Sequence, residues 1–356
     1  MPRDPAERVR AAIGLFAMDD RGLIEVRGSD RIRWLDGMIT ADVKALEKRG
    51  EGAGALALLL THRGAIVADL RVGRLGETLL LECAKSDQER IRAALEKRII
   101  ADDVVLADRG EAFAVLGVEG ARSGDVVARA LAAASLPAAF DWAELSFEGG
   151  SLLAAGFGWS GEEAYQLRVA PSGLAGLRAA IERAAEVLGV DCVAGDPALL
   201  ELLRIEAGIP ALGAELGEDV LPPEARLERA VAINKGCYVG QEIVARLRSR
   251  GQVNHLLVGL RLEGAAPSAI GTPLEGDALP AIGTPLVVAG RATGEITSVV
   301  HSPSQGAIAL GYVRREHAGV GTRLELAGGS ATATVAELPF VRLRASPPAP
   351  PSPGGA

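Results

Sequence analysis

Apolar positions recur at two different periods along this chain, and the change from one to the other divides it. Leu23 to Val26 reads as a short strand running into Gly28-Ser29-Asp30. Beyond that turn, Ile32, Leu35, Met38 and Ile39 recur at helical spacing, which predicts a helix over Arg31 to Thr40. Ala55 to Leu60 is an apolar run closed by the turn signal Thr61-His62-Arg63-Gly64, and Ile66 to Val72 and Thr78 to Cys83 read as paired strands. Ser86 and Glu89 have capping-box spacing, so a helix is expected from about Asp87 to Arg98. A second mixed stretch follows, with strands at Ala112 to Val118, Ser151 to Phe157 and Ala164 to Val169, and helices at about Ala121 to Ala134 and Ser172 to Leu188. Asp196-Pro197 supplies an N-cap and a first-turn proline, the leucines at 199, 200, 202 and 203 an apolar face, and Gly208 a stop.

Helical spacing then fades. The run Ala265 to Pro285 is rich in Gly, Pro and Ala and predicts a loop, and Leu286 to Leu343 alternates short strands with turns, as a small β-barrel would. The Pro- and Gly-rich tail from Ser346 predicts disorder. The expected class is α+β. The expected division is an N-terminal segment to residue 20, an α+β region over 21–255 in two parts (about 21–110 with later returns, and 111–255), a barrel over 256–345, and a tail over 346–356.

Composition narrows the function classes. A chain of 356 residues carries a formal charge of -8, which argues against a general nucleic-acid surface or an anionic-membrane surface. One stretch runs the other way: Arg226 to His255 holds six Lys or Arg against two Glu. Cys83, Cys192 and Cys237 are widely spaced and odd in number, so neither a disulfide framework nor a zinc site is expected, and a reducing cytoplasm is. The apolar stretch Ala11 to Met18 ends at Asp19-Asp20 without a small-residue cleavage site, and no run approaches membrane-spanning length.

The basic stretch contains the densest chemistry in the chain, Asn234-Lys235-Gly236-Cys237-Tyr238-Val239-Gly240-Gln241-Glu242. Gly236 and Gly240 permit a tight turn and close approach of a ligand. A helix starting near Gly240 would put Cys237 just before a helix N-terminus, where Lys235 and the dipole both favour a thiolate. The competing reading makes Cys237 a small buried hydrophobe. Arg246, Arg248 and Arg250 follow at intervals of two: a strand would align all three, a helix only Arg246 and Arg250. Either arrangement suits carboxylates or phosphates, or else is a solvated edge. His62, His255, His301 and His317 show no metal-ligand spacing, and neither nucleotide-binding glycine motif is present.

These residues resemble a known family. Lys235 to Glu242 matches the K-G-C-[FY]-x-G-Q-E signature of the YgfZ proteins, folate-binding relatives of the glycine-cleavage T-protein that act in iron-sulfur cluster assembly. Val26 to Val43, Leu58 to Asp69 and Arg204-Ile205-Glu206-Ala207-Gly208 are similar to further stretches of the family, so that the resemblance spans roughly residues 20 to 345. It implies two α+β parts around a tetrahydrofolate opening and a C-terminal barrel. It also implies a chemical role for Cys237 and Lys235, and folate contacts from Gly236, Tyr238, Gly240, Gln241, Glu242, Arg246, Arg250 and Glu206. Implied partners are folate and iron-sulfur client proteins or cluster carriers. The T-protein aminomethyltransferases are the alternative, but they lack K-G-C. In their register a folate-contacting aspartate falls near Arg90, with Asp87 three residues away, a folate-binding glutamate becomes Gln166, and an arginine becomes Leu200.

Overall fold

A computed structural model describes residues 4–264, 279–327 and 331–344; the first part of the expected loop after Glu263 and the whole of the expected tail lie outside these. The described chain divides into two compact units, one of residues 4–19, 112–203 and 342–344, the other of 20–111 and 204–341. Residues 204–255 thus run with 20–111.

The first unit is built on a six-stranded sheet in the order Cys192–Ala194, Ile13–Ala17, Ala114–Glu119, Ala164–Val169, Gly150–Ala155, Trp142–Phe147. Ile13–Ala17 pairs parallel with Cys192–Ala194, and the other neighbours are antiparallel. Ala164–Val169 is buried at all six positions, so both faces of the sheet are covered there. Side-chain alternation separates the two faces. Tyr165, Leu167 and Val169 enter a core with Val126 and Val127 of the helix Ser123–Ala130 and with Leu177 and Ile181 of the helix Leu174–Leu188. Gln166 and Arg168 point to the opposite face.

The second unit holds a five-stranded antiparallel sheet ordered Gly54–Leu60, Ile66–Leu75, Thr78–Ala84, Arg21–Arg27, Val105–Asp108. One face packs on Trp34 and Leu35 of the helix Arg31–Asp36, Leu46 of Val43–Arg49, and Ile91 and Leu95 of Gln88–Glu96. Leu58, Leu60 and Ile66 emerge on the other face and pack with Leu227, Ala230, Tyr238 and Val244. The strands His255–Glu263, Gly306–Arg314, Arg291–Ser302, Pro285–Val288, Arg323–Leu326 and Thr332–Ala336 close into a six-stranded barrel, which leaves no open sheet edge.

Three local expectations are corrected. The helix at Arg31 stops at Asp36 rather than Thr40, because the Asp36 carboxylate turns forward to accept from the Val43 N–H at 3.0 Å. The Ser86–Glu89 capping box does not form: Ser86 Oγ donates to Asp87 at 3.0 Å and Glu89 pairs with Arg92, so the helix begins at Gln88 after a 3₁₀ turn. The helix Ser123–Ala130 is shorter at both ends than its apolar spacing predicts. Asp196 is an N-cap as expected, its Oδ1 accepting from Leu199 N–H at 2.8 Å, and the helix Pro197–Ala207 ends at Gly208.

Candidate functional site

The octapeptide lies on the face of the five-stranded sheet opposite Trp34, Leu35, Ile91 and Leu95, and two of its side chains, Lys235 and Gln241, hold the loop itself. Lys235 Nζ donates to the carbonyl oxygens of Asp36 at 2.6 Å, Ile39 at 2.9 Å and Ala41 at 2.5 Å. An ammonium has three protons. All three go to the turn after the helix Arg31–Asp36, with the Asp36 carboxylate 3.3 Å away and the Lys235 side chain only 1% exposed. Burial lowers the Lys235 pKa, opposed by the charge of Asp36. The Tyr238 ring is buried in the apolar cluster below and sits 5.2 Å from the same ammonium. Gln241 Oε1 accepts from the Tyr238 N–H at 3.2 Å, and the Val239 N–H donates to Gly37 at 3.2 Å. Ahead of the motif, Thr40 Oγ1 donates to the Ala230 carbonyl at 2.6 Å and accepts from Leu58 N–H at 2.7 Å.

Gly240 is required where it stands. Its φ is +84°, and a Cβ there would meet the Thr61 carbonyl oxygen at 2.6 Å. It caps a helix over Gln241–Arg250, one residue later than expected. On this helix Arg246 and Arg250 share a face and Arg248 does not. Arg246 and Glu242 are exposed; the Arg250 side chain lies outside the described residues.

Against this bracing, Gly236 and Cys237 are exposed. The other two thiols are not comparable. Cys83 is buried and its pKa is pushed up to about 12, first by burial and then by Glu82, while Cys192 is half-buried with its pKa also raised by burial. The bland reading of Cys237 as a buried hydrophobe therefore does not describe it.

Glu206 is placed elsewhere. It is buried, and its carboxylate accepts from Ser302 Oγ of the barrel at 2.6 Å while its carbonyl accepts from Phe340 N–H at 2.8 Å. Among the described residues no group of three His, Cys, Asp or Glu is placed to hold a metal ion, and no helix is long and apolar enough to cross a membrane.

A second arrangement lies in the first unit. Across the sheet, Gln166 pairs with Ala155 and Ala155 with Trp142, so the three side chains stand in one row on the face away from the helices. Arg168 Nη2 donates to Gln166 Oε1 at 2.9 Å, and the Arg168 guanidinium lies 5.2 Å from the Trp142 ring centroid. An arginine has no acceptor, so it fixes the amide with its NH₂ turned away. Gln166 Nε2 and Trp142 Nε1 are both buried without a hydrogen-bond partner. Buried donors are nearly always satisfied in folded proteins, so these two are open to an acceptor from outside the described residues. The charged stretch beside them is structural: Glu119 accepts from the backbone N–H groups of Trp159 and Ser160 and from Ser160 Oγ at 2.7–3.1 Å, and burial raises its pKa.

At the position where the T-protein register expects a carboxylate, the Arg90 guanidinium binds Asp87 at 2.8 Å, Glu218 at 3.0 Å and the Val67 carbonyl at 3.0 Å. Sequence reading located the octapeptide but not Asp36, Trp142 or Arg168. None of these carries a local signal, since each acquires its setting from residues distant in sequence.

A six-stranded sheet and a five-stranded sheet with helices, followed by a closed barrel, define a T-protein-like α+β architecture. The chain belongs to the glycine cleavage T-protein family: residues 3–235 match the GCVT N-terminal domain and 269–342 the glycine cleavage T-protein C-terminal barrel domain. It is 30% identical over 347 residues to an aminomethyltransferase of Rubrobacter xylanophilus, covering 96% of this chain and 87% of the relative. It is 31% identical over 350 residues to one of Streptomyces avermitilis, covering 96% and 89%. The crystal structure of the glycine cleavage system aminomethyltransferase T from Bartonella henselae superposes with a TM-score of 0.78 at 26% identity, over 96% of this chain and 89% of that one. The family takes tetrahydrofolate as substrate or cofactor.

Proposed function

We propose that this chain is a tetrahydrofolate-binding protein of the YgfZ type, which supports assembly or repair of iron-sulfur clusters in client proteins through Cys237. The observation that carries this reading is the contrast within the octapeptide: Lys235, Tyr238 and Gln241 hold the loop, and the thiol is left exposed. A loop held so tightly presents its one reactive atom in a fixed place. Cys237 is then the sulfur ligand or nucleophile offered to a client, and Lys235 positions it. Exposed Arg246 and Glu242, with Arg250 on the Arg246 face, are the groups we assign to the partner surface.

Tetrahydrofolate fits the first unit's sheet face. The unpartnered Gln166 Nε2 and Trp142 Nε1 are donors, and a reduced pterin offers a carbonyl oxygen and ring nitrogen as acceptors. Bound there, the cofactor would supply one-carbon carrier chemistry. Gly240 and Glu206 are assigned structural parts in this reading, since each meets close neighbours within its own unit.

The second reading is aminomethyl transfer, favoured by the names of the relatives at 30% and 31% identity. The ion pairs of Arg90, where that chemistry would need a free carboxylate, speak against it. Complementation of a deletion strain decides for or against the first reading: Cys237→Ser is expected to abolish recovery of iron-sulfur enzyme activity, and full recovery would sink it. A glycine-cleavage assay with lipoyl carrier and tetrahydrofolate tests the second, where robust methylene-tetrahydrofolate formation would establish a transferase.

A further inference from the structure

We infer that the cavity behind the hairpin turn Thr61–Gly64 binds an organic dianion, a phosphomonoester or dicarboxylate carried on an apolar body. The cavity has a volume of about 450 Å³ and lies wholly within the second unit, inside the range of roughly 300–1,000 Å³ usual for small-molecule sites. Val67 and Ala94 give it an apolar lining, backed by the buried Leu59 and Leu60.

Its charge is what selects the ligand. Arg90 contributes a guanidinium already matched by Asp87 and Glu218, and Glu218 is the carboxylate that lines the cavity. Arg63 and Arg98 differ. Both line the cavity, and among the described residues neither guanidinium makes a hydrogen bond or ion pair. They come from separate elements, Arg63 from the turn and Arg98 from just beyond the helix Gln88–Glu96. Two unmatched guanidinium forks at one opening suit carboxylate or phosphate oxygens, with His62 beside them as a further donor. The apolar lining disfavours a bare inorganic anion, and the arginines disfavour a neutral ligand.

The same turn supports the octapeptide. The Gly64 Cα lies 3.1 Å from the position a Gly240 Cβ would take, and a Cβ on Gly64 would meet Ile243 at 3.1 Å. A ligand in the cavity therefore rests against the backbone on which the Cys237 loop is seated. The inference does not depend on the role proposed for Cys237 or on folate binding.

Calorimetric titration of the full chain tests it with phenyl phosphate and phthalate as dianionic probes, against inorganic phosphate and phenol. At least one dianionic probe is expected to bind about tenfold more tightly than either control, because only it uses both the lining and the arginines. Arg63→Gln and Arg98→Gln, at solvent-accessible positions, should each weaken that probe about tenfold. Arg323→Gln in the barrel removes the same charge elsewhere and should leave it unchanged. Equal binding of probes and controls by the wild type overturns the inference, as does equal binding of the probe by wild type and by the Arg63→Gln/Arg98→Gln double variant.

Discussion

The octapeptide loop and the Gln166–Trp142 sheet face handle polar groups in opposite ways. In the loop, Lys235 places all its protons on backbone carbonyls, Gln241 takes the Tyr238 N–H, and the Cys237 sulfur and the Glu242 carboxylate are left exposed. On the sheet face, Arg168 orients Gln166, but the amide and indole donors end without partners in a buried setting. The first is a region whose order is complete without a ligand. The second is a region whose donors are left open among the described residues, which is why we assign the ligand to it. Polar residues near a site thus divide into those that build it and those that wait for something to bind, and residue type alone does not tell them apart.

Lys235→Ala should break the loop's side of the contrast most severely. It strips three carbonyls of their donor and leaves the buried Asp36 without this partner, for a loss of roughly 3–5 kcal/mol in denaturant unfolding. A loss below about 1 kcal/mol would mean that the ammonium does not hold the loop. Gly240→Ala comes next, at about 2–3 kcal/mol, since it combines a positive φ with a collision against the Thr61 carbonyl. On the sheet face, Trp142→Phe removes an unpartnered donor while keeping an aromatic ring beside Arg168. Tetrahydrofolate affinity should fall about tenfold, roughly 1.4 kcal/mol. Unchanged affinity would show that this face is complete as it stands. Cys237→Ser should have the smallest effect on stability, within about 0.5 kcal/mol, as an exposed position touching little.

Sequence reading reached the elements whose signals are local. The reading of Ala164–Val169 as a strand matches the observed bounds, and Asp196-Pro197 opens its helix as capping chemistry requires. The strand Ile13–Ala17 was not recognised as one, because its partners are Ala114–Glu119 and Cys192–Ala194, each about a hundred residues or more away. Ser86 had the right spacing for a cap but found a closer acceptor in Asp87. At the candidate site the Gly240 turn was legible from residue type, whereas Cys237 was left open between a reactive thiol and a buried hydrophobe until the structure showed it exposed. The work of Lys235 was not: its position two residues before Cys237 implied an electrostatic neighbour, whereas its acceptors lie 194–199 residues earlier in the chain.

That separation has a consequence for the order of events as the chain folds. The loop is seated by carbonyls at Asp36, Ile39 and Ala41 and by the hairpin from Gly54 to Leu75, so local contacts such as Gln241 to Tyr238 do not by themselves fix its place on the sheet. Contacts this far apart in sequence form late, after the entropy of closing a long loop has been overcome. A chain that has emerged only as far as Glu242 can present a positioned thiol only once its N-terminal sheet is assembled. Positioned presentation of Cys237 is therefore also a report that the second unit's sheet has formed, and a chain without that sheet does not hold the group in place.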